Sequence, residues 1–452
     1  MLSPITNNDQ ESIVAGRRTK LFSAIVNLLR HSLAVQFVVM NVKPPDASRR
    51  TRQFFFVGIP SGSVVLKAPA GNAIPAILER DHEPWIAIIA SDLYPLFQDA
   101  RAGLTRRLDP AVSTVIPLVP YRRPPTDSYR RDGHANSFLC SGSVFAELLK
   151  MFPEACPESL CYLLLKAILD GKILVDRVTV TQLPARAPKP EFEPLPSARV
   201  IMPHRGFARD LRTALRSIDL TREPRPAVSV GLDGGALTKY QALRDRNPRV
   251  EFLYFSPTPV GPYVIRQELI QRSDEPVLIF QDSDDFATWD RFHYLQQELR
   301  ANSCDLVGSH QLRVNEMLQS VEIFRYPLNV NEALRTHSSH ALLHPTSAVT
   351  RSGFFEAGGL STDKIFDSDS QFVLRASFML RILNVDAFLY VRRVHKLALT
   401  VHPSTRVGSA AREPGRRQRA IDFEAIKSGR MSLDESSLWP CHRTAPYQVR
   451  AL

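Results

Sequence analysis

Four consecutive apolar residues, Val277-Leu278-Ile279-Phe280, run directly into Gln281-Asp282-Ser283-Asp284-Asp285. A short unbroken apolar run reads as a strand buried on both faces, which needs a covering layer on each side of its sheet. Ligands of open α/β sheets gather beyond the carboxyl ends of such strands. Here that end carries Asp282, Asp284 and Asp285. Clustered carboxylates repel one another unless something positive lies among them, and a hard divalent cation with oxygen ligands, bridging to a diphosphate, is the usual solution. The plainer alternative for a bare Asp-Ser-Asp is a solvated turn opening a helix, because acids favour helix N-termini.

The chain is 452 residues long, enough for two to three domains, and its 44% hydrophobic and 23% charged content is that of a folded soluble protein. A net charge of +11 favours anionic partners such as nucleotides or an anionic membrane surface. No nucleic-acid module or basic-aromatic pattern accompanies that charge, so nucleic acid is not an expected partner. Cys140, Cys156, Cys161, Cys304 and Cys441 lack metal spacing, and their odd number argues against a disulfide framework. The expected location is therefore cytoplasmic, with peripheral contact at the inner face of the membrane. The longest apolar stretch, Leu21–Val42, is broken by Arg30 and His31, short of the roughly 18 residues that span a bilayer, and the N-terminus has no signal-peptide pattern.

In chain order, the spacing predicts a helix over Arg17–His31, strands over Val35–Val42, Phe54–Ile59 and Trp85–Ala90, and a short helical turn within Asn72–Arg80. Trp85–Ala90 reads as a worn copy of the opening motif. At a constant shift of 192 residues, Ser91 and Asp92 stand for Ser283 and Asp284, while Ala90 and Leu93 replace Asp282 and Asp285. Residues 1–182 are accordingly read as a degenerate, non-catalytic duplicate of a later domain. Residues 183–197, with Pro184, Pro188, Pro190, Pro194 and Pro196, form a stiff linker. Residues 198–402 alternate strands with helices, which predicts an α/β domain with a Rossmann-like, mostly parallel sheet. Residues 403–452 read as a basic tail with one short helix around Ile421, Phe423 and Ile426.

The second domain carries a series of short motifs in order: Ile201-Met202-Pro203 before a polar loop, Leu232-Asp233-Gly234-Gly235, Arg266 ahead of the carboxylate strand, His344-Pro345-Thr346, Gly358-Gly359-Leu360, Asp367-Ser368-Asp369 through Arg375, and Tyr390-Val391-Arg392-Arg393-Val394-His395. Over about 200 residues this series resembles the family 2 glycosyltransferases of GT-A fold. The chain departs from that pattern at Leu232, where the family usually has an acid, at His204-Arg205-Gly206 after the proline, and at Ser368, where it often has Glu.

The resemblance implies an inverting, metal-dependent transfer of a sugar from a nucleotide-diphosphate sugar, with a UDP-sugar expected, to a hydroxyl of a glycan, lipid-linked glycan or peptide, as in polysaccharide biosynthesis. Asp284 would hold Mn2+ or Mg2+, Asp282 would join it or touch the ribose, and His395 would complete the coordination. Pro203, His204, Asp233, Arg266 and Ser283 fall on the donor side; His344, Gly359 and Asp367 fall on the acceptor side. Asp369 is the expected general base, with Asp367 as the fallback. Ser368-x-x-Gln371 is a capping-box pattern that places Asp369 in a first helical turn, where the positive helix end keeps a carboxylate ionised. Two other classes stay open: a non-catalytic nucleotide-sugar- or glycan-binding protein on the same fold, and a dehalogenase-like phosphatase, which Asp285-Phe286 fits poorly because that family has small residues there.

Overall fold

The computed structural model describes residues 85–452 except 106–107, 110, 154, 185–193, 236, 257, 302–303, 337, 339, 407 and 443–445, together with strands at 38–42, 52–59 and 64–66. The helices expected at Arg17–His31 and Asn72–Arg80 lie outside the described residues, as does most of the proline-rich linker. The chain forms two compact units. One comprises Met1–Tyr121, Ala135–Ala167 and Ile173–Arg186; the other comprises Arg122–His134, Ile168–Lys172 and Ala187–Leu452.

The first stretch of chain supplies β1 (Val38–Val42), β2 (Arg52–Ile59), β3 (Val64–Leu66), β4 (Trp85–Ala90), helix α1 (Tyr94–Thr105), β5 (Thr114–Pro120), β6 (Arg130–His134), β7 (Ser137–Ser141), α2 (Gly142–Met151), α3 (Pro157–Leu169), β8 (Arg177–Val178) and β9 (Thr181–Leu183). The sheet order of the first unit is β1-β2-β4-β7-β5-β8, with β3 on β2 and β9 on β5. Every residue of β4 is buried, as its unbroken apolar run requires.

The second stretch supplies β10 (Ala198–His204), α4 (Ala208–Asp219), β11 (Ala227–Asp233), α5 (Thr238–Arg246), β12 (Val250–Ser256), α6 (Pro262–Gln271), β13 (Val277–Phe280), β14 (Phe286–Ala287), α7 (Arg291–Ala301), β15 (Leu306–Asn315), β16 (Ser320–Arg325), α8 (Val330–Thr336), a 3-10 turn at His344–Thr346, β17 (Ala348–Thr350), α9 (Arg351–Glu356), α10 (Ser368–Ala376), β18 (Ile382–Val394), α11 (Glu413–Lys427) and β19 (Gln448–Ala451). These strands join in the order β14-β18-β15-β17-β13-β10-β11-β12-β19, with β16 on β15 and β6 on β16. Strands β12, β11, β10 and β13 are mutually parallel. Strand β18 runs parallel to β15, and the remaining pairings are antiparallel. The α/β class holds, and the parallel part is the block that the strand–helix alternation identifies.

Both faces of this sheet are apolar, which explains the run at 277–280. Leu278 and Phe280 pack with Ile201 on one side, while Val277 and Ile279 pack with Val200 and Met202 on the other. Full burial of each such side chain contributes about 1.5–3 kcal/mol. At Gly231, an added Cβ would lie 2.1 Å from Cγ2 of Ile265, so glycine lets α6 sit directly on β11.

The segment expected as a tail is part of the second unit. Phe423 of α11 and Leu438 are buried in the same core as Phe280, and β19 pairs antiparallel with β12. Ion pairs from Asp367 to Arg412 and Arg419 fix the start of α11. Two of the arginines that give this segment its tail-like composition, Arg412 and Arg419, serve as those anchors.

One ladder appears in both units with matching register. In the first, Trp85 faces Ser141, Cys140 faces Val115, and Val115 faces Val178. In the second, Val277 faces Thr350, Val349 faces Leu306, and Leu306 faces Ile382. The shift from β4 to β13 is 192 (85 to 277), and from β7 to β17 it is 209 (141 to 350). The directions agree throughout: antiparallel, antiparallel, parallel. At equivalent positions, Ser141 and Thr350 stand at the N-caps of α2 and α9. The turn after each first strand also matches: Leu93 donates its N–H to Ala90 O (2.9 Å), as Asp285 does to Asp282 O (3.4 Å).

Candidate active site

Strand order reverses between β10 and β13, because the chain leaves β10 toward β11 and β12 and returns on its other side. The crevice beyond such a switch point is where ligands bind in open α/β sheets. His204 closes β10 there, and Asp282, Ser283 and Asp284 follow β13. His204 Nδ1 lies 2.8 Å from Ser283 Oγ, so two expected donor-side residues meet directly. His204 is 3% exposed, and burial lowers its pKa to about 4 against a small opposing pull from Asp284; the ring is neutral at neutral pH. Pro203 lies beside it on β10, opposite Gly231.

The three carboxylates have different partners. Asp282 is ion-paired with Arg266, and its backbone N–H donates to the Tyr390 hydroxyl at 3.1 Å. Loss of hydration raises its pKa, opposed by Arg266 and reinforced by Asp284. Asp284 Oδ2 lies 3.1 Å from Nε2 of His395, just past the end of β18. Loss of hydration pushes Asp284 upward, but His395, a local amide and Arg392 outweigh it and hold this carboxyl below the ordinary range. Asp285 points into the protein and accepts the Arg393 N–H at 2.7 Å; burial, Asp284 and Asp282 raise its pKa well above normal.

Among the described residues, no group of three or more His, Cys, Asp or Glu side chains is arranged to hold a metal ion. Asp284 and His395 do present adjacent oxygen and nitrogen donors. Carboxylate oxygen and imidazole nitrogen are both donor types that divalent cations accept. Asp282, expected as a third ligand or a ribose contact, is instead held by Arg266.

Helix α6 ties the two sides of the site together. Asp233, expected to bind the donor, accepts the N–H groups of Val260 (2.7 Å) and Gly261 (3.2 Å), and so fixes the loop that starts α6. Gly261 has φ +92°, a left-handed conformation that suits glycine at this turn. One face of α6 then carries Tyr263, Arg266 and Gln267, at the i, i+3, i+4 spacing that stacks side chains on a helix. Tyr263 donates its hydroxyl to Asp369 Oδ1 (2.9 Å), Arg266 pairs with Asp282, and Gln267 accepts the Leu360 N–H (3.0 Å).

Asp369 sits in the first turn of α10, as expected, although the cap differs. The N-cap residue is Asp367, at φ +68°, and its side chain makes no cap hydrogen bond. Ser368 donates its hydroxyl to Ser361 O, and Gln371 donates to the carbonyls of Ser437 and Trp439. The capping box therefore does not form, because both side chains find tertiary partners. Burial pushes the Asp369 carboxyl upward, but His344, the Tyr263 hydroxyl, the Ser370 amide and Arg266 together bring it below the ordinary value. It is a carboxylate at neutral pH, with Oδ1 taken by Tyr263 and Ser370. Burial, aided by Asp369, raises the Tyr263 phenol well above normal, so it remains a donor.

The acceptor-side residues divide. His344 is 2% exposed, its ring centroid 3.8 Å from that of Phe280, and burial with Arg266 lowers its pKa to about 3. Gly359 has φ +71° and abuts the Gln267 side chain. Asp367 turns to Arg412 and Arg419, so the fallback base is a structural anchor. Arg375 is fully buried and donates to the carbonyls of Ala357, Gly359 and Leu438, which locks α10 to that turn.

Sequence reasoning missed Tyr263 and Gln267, the contact of Tyr390 with the carboxylate turn, and the anchoring role of Arg291. Arg291 is fully buried, donates to the carbonyls of Phe280 (2.6 Å) and Pro345 (2.7 Å), and lies 4.5 Å from the centre of the Tyr390 ring. The spacing of Tyr263, Arg266 and Gln267 was the available signal for the α6 face. The motif at Tyr390 to His395 marks the tyrosine but not its partner, which is 108 residues away.

No family model matches the sequence, and no curated protein does. Among solved structures, the chain is similar in part to TarS of S. aureus. Against TarS 1–349 in complex with UDP-GlcNAc, identity is 16% and TM-score 0.41, covering 51% of this chain and 66% of that one. Against TarS 1–349 in complex with UDP, the values are 15%, 0.39, 51% and 65%. Against the longer TarS structure they are 14%, 0.38, 51% and 43%. The chain thus spans less than two thirds of the length of these TarS structures. Among the described residues, no helix is long and apolar enough to cross a membrane.

Proposed function

We propose that the second unit is an inverting glycosyltransferase that moves a sugar from a nucleotide-diphosphate donor to an acceptor hydroxyl. The observation that carries this reading is the single face of α6. Tyr263 and Arg266, one helical turn apart, bring the base candidate Asp369 and the carboxylate turn at Asp282 to the same crevice. Sugar transfer needs both: a group that takes the acceptor proton and a site for the leaving diphosphate. The acceptor oxygen attacks the anomeric carbon as the bond to the diphosphate oxygen breaks, and Asp369 takes the hydroxyl proton. One displacement assisted by one base inverts the anomeric configuration. Asp284 and His395 are the residues that would hold Mn2+ or Mg2+, which would offset charge on the diphosphate. His204 and Ser283 border the donor crevice, and Arg266 keeps Asp282 oriented there.

The first unit is proposed to be a non-catalytic copy of the second unit's back half. The support is the matched register of β4-β7-β5-β8 and β13-β17-β15-β18, along with the loss of two of the three acids at the turn.

The test is release of UDP from UDP-GlcNAc, the nucleotide sugar held in one of the TarS structures, alongside other nucleotide sugars, with and without Mn2+. A donor that raises the melting temperature and is slowly hydrolysed is the expected result, because a ligand of the folded state stabilises it. Absence of both binding and hydrolysis across the panel would overturn the reading.

A further inference from the structure

Strand β18 makes its last ladder contact at Val394, opposite Asn315, and His395 follows it. Beyond that point, only the Glu316 N–H donated to Val394 O (3.0 Å) continues the pairing. The place of His395 therefore depends on what holds the residues just before it. Arg393 is 8% exposed, and each edge of its guanidinium meets a different carboxylate: Nε to Glu316 (2.6 Å), Nη1 to Asp210 (3.1 Å) and Nη2 to Asp170 (2.9 Å). Its backbone N–H donates to Asp285 Oδ1 (2.7 Å). One residue thus grips the carboxylate turn through its main chain and is itself gripped by three acids through its side chain.

Two of those acids belong to neighbouring elements of the same fold: Asp210 in the first turn of α4, and Glu316 just after β15. Asp170 comes from far earlier in the chain, immediately after α3. Residues Ile168–Lys172 pack within the second unit, where a Cβ added to Gly171 would lie 3.3 Å from Thr213 Oγ1 of α4. Asp170 is 8% exposed, so its charge is matched by protein groups rather than by water. We infer that Asp170 is a positioning residue for the donor end of the site. It closes the third edge of Arg393 and so sets Asp285 and His395 relative to Asp284. A segment far earlier in the chain, which belongs to the second unit, thereby contributes one residue to the geometry of that unit's site. This rests on Asp284 and His395 being the donor-side pair.

A guanidinium is a rigid planar fork, so losing one partner frees it to rotate without leaving it unpaired. Asp170→Asn should therefore fold, since Arg393 keeps two carboxylates, while outer-shell losses of this kind typically weaken metal-dependent binding by about tenfold or more. The experiment measures UDP affinity with Mn2+ by calorimetry, and the ring signals of His395 by NMR in the metal-free protein, assigned with His395→Gln. Variants are Asp170→Asn, Asp170→Glu and Lys172→Ala, whose ammonium lies 3.8 Å from Asp170 on the exposed side. The expected result is about tenfold weaker UDP binding and shifted His395 signals for Asp170→Asn, with recovery toward wild type in Asp170→Glu and no change in Lys172→Ala. Wild-type affinity together with unshifted His395 signals in Asp170→Asn would overturn the inference. If Asp170→Asn does not fold, the Glu variant decides: it must match wild type in the His395 signals, and shifted signals there would count against the inference. If the wild type binds no UDP, the functional reading fails, while the metal-free signals still judge the role of Asp170.

Discussion

The turns after β4 and β13 share a backbone hydrogen bond but not a chemistry. Each follows a fully buried strand and closes with the same carbonyl-to-amide contact; the first leads straight into α1, the second through β14 into α7. Each strand also pairs antiparallel with a strand that leads into a helix, β7 into α2 and β17 into α9. Their other neighbours differ. Strand β4 lies against antiparallel β2, whereas β13 lies against parallel β10. A parallel neighbour ends level with β13, so His204 reaches Ser283, and the helix preceding β13 delivers Arg266 to Asp282. At the first turn, Ala90 takes its amide contact from Ser137 Oγ, while at the second Asp282 takes it from Tyr390. The two turns thus share a ladder, while the parallel neighbour and the helix preceding β13 add His204 and Arg266 beside the carboxylates of the second.

The contrast breaks first at the base. Under the shift of 209, Asp369 of α10 stands where Leu160 of α3 is buried in the first unit. Asp369→Asn should lower turnover by about 100-fold or more, roughly 2.7 kcal/mol of barrier, with donor affinity unchanged. Steady-state transfer rates beside calorimetry check this, and an active Asp369→Asn would move the base elsewhere.

Acid should separate the units next, because the fully buried histidines among the described residues, His204, His293, His310 and His344, all belong to the second. Burial lowers His204 to about 4 from 6.5. Between those values the unfolded chain binds more protons, so stability falls as pH drops through that window, by about 3 kcal/mol for this residue once below pH 4. Urea midpoints from pH 7 to 4 should fall less steeply in His204→Asn than in wild type, and parallel curves would contradict the assignment.

Asp367→Asn removes a charge that Arg412 and Arg419 share. It should cost about 1–3 kcal/mol of stability with little change in rate, read from urea midpoints and turnover in the same preparation. The smallest effect is expected at the turn after β4. Asp92 is exposed, and Asp92→Ala should leave turnover within about twofold and stability within about 0.5 kcal/mol. A loss of rate beyond about tenfold (roughly 1.4 kcal/mol of barrier) in a folded Asp92→Ala protein would reverse the comparison.

Much of this contrast is written in local sequence. The apolar run at 277–280 identifies β13, and the strand–helix alternation from Ala198 identifies the parallel block, because period and burial are local properties. The shift of 192 that relates Ser91-Asp92 to Ser283-Asp284 is the shift that relates β4 to β13 in the pairing register. What stayed hidden depends on partners distant in the chain. Asp233 reads as a ligand-binding acid, yet its oxygens serve Val260 and Gly261. Ser368 and Gln371 have capping-box spacing, yet tertiary carbonyls take both side chains. The basic composition after Pro403 reads as a tail, yet Phe423, Leu438 and β19 join the fold through contacts no local pattern reveals.

Calorimetric titration of UDP with and without Mn2+ into the wild type, Asp284→Ala and Asp92→Ala tests most directly whether the carboxylate turn of the second unit is the donor site. The expected result is metal-dependent binding in the wild type, its loss in Asp284→Ala and its retention in Asp92→Ala. Unchanged, metal-dependent affinity in Asp284→Ala, or equal losses in both variants, would contradict it.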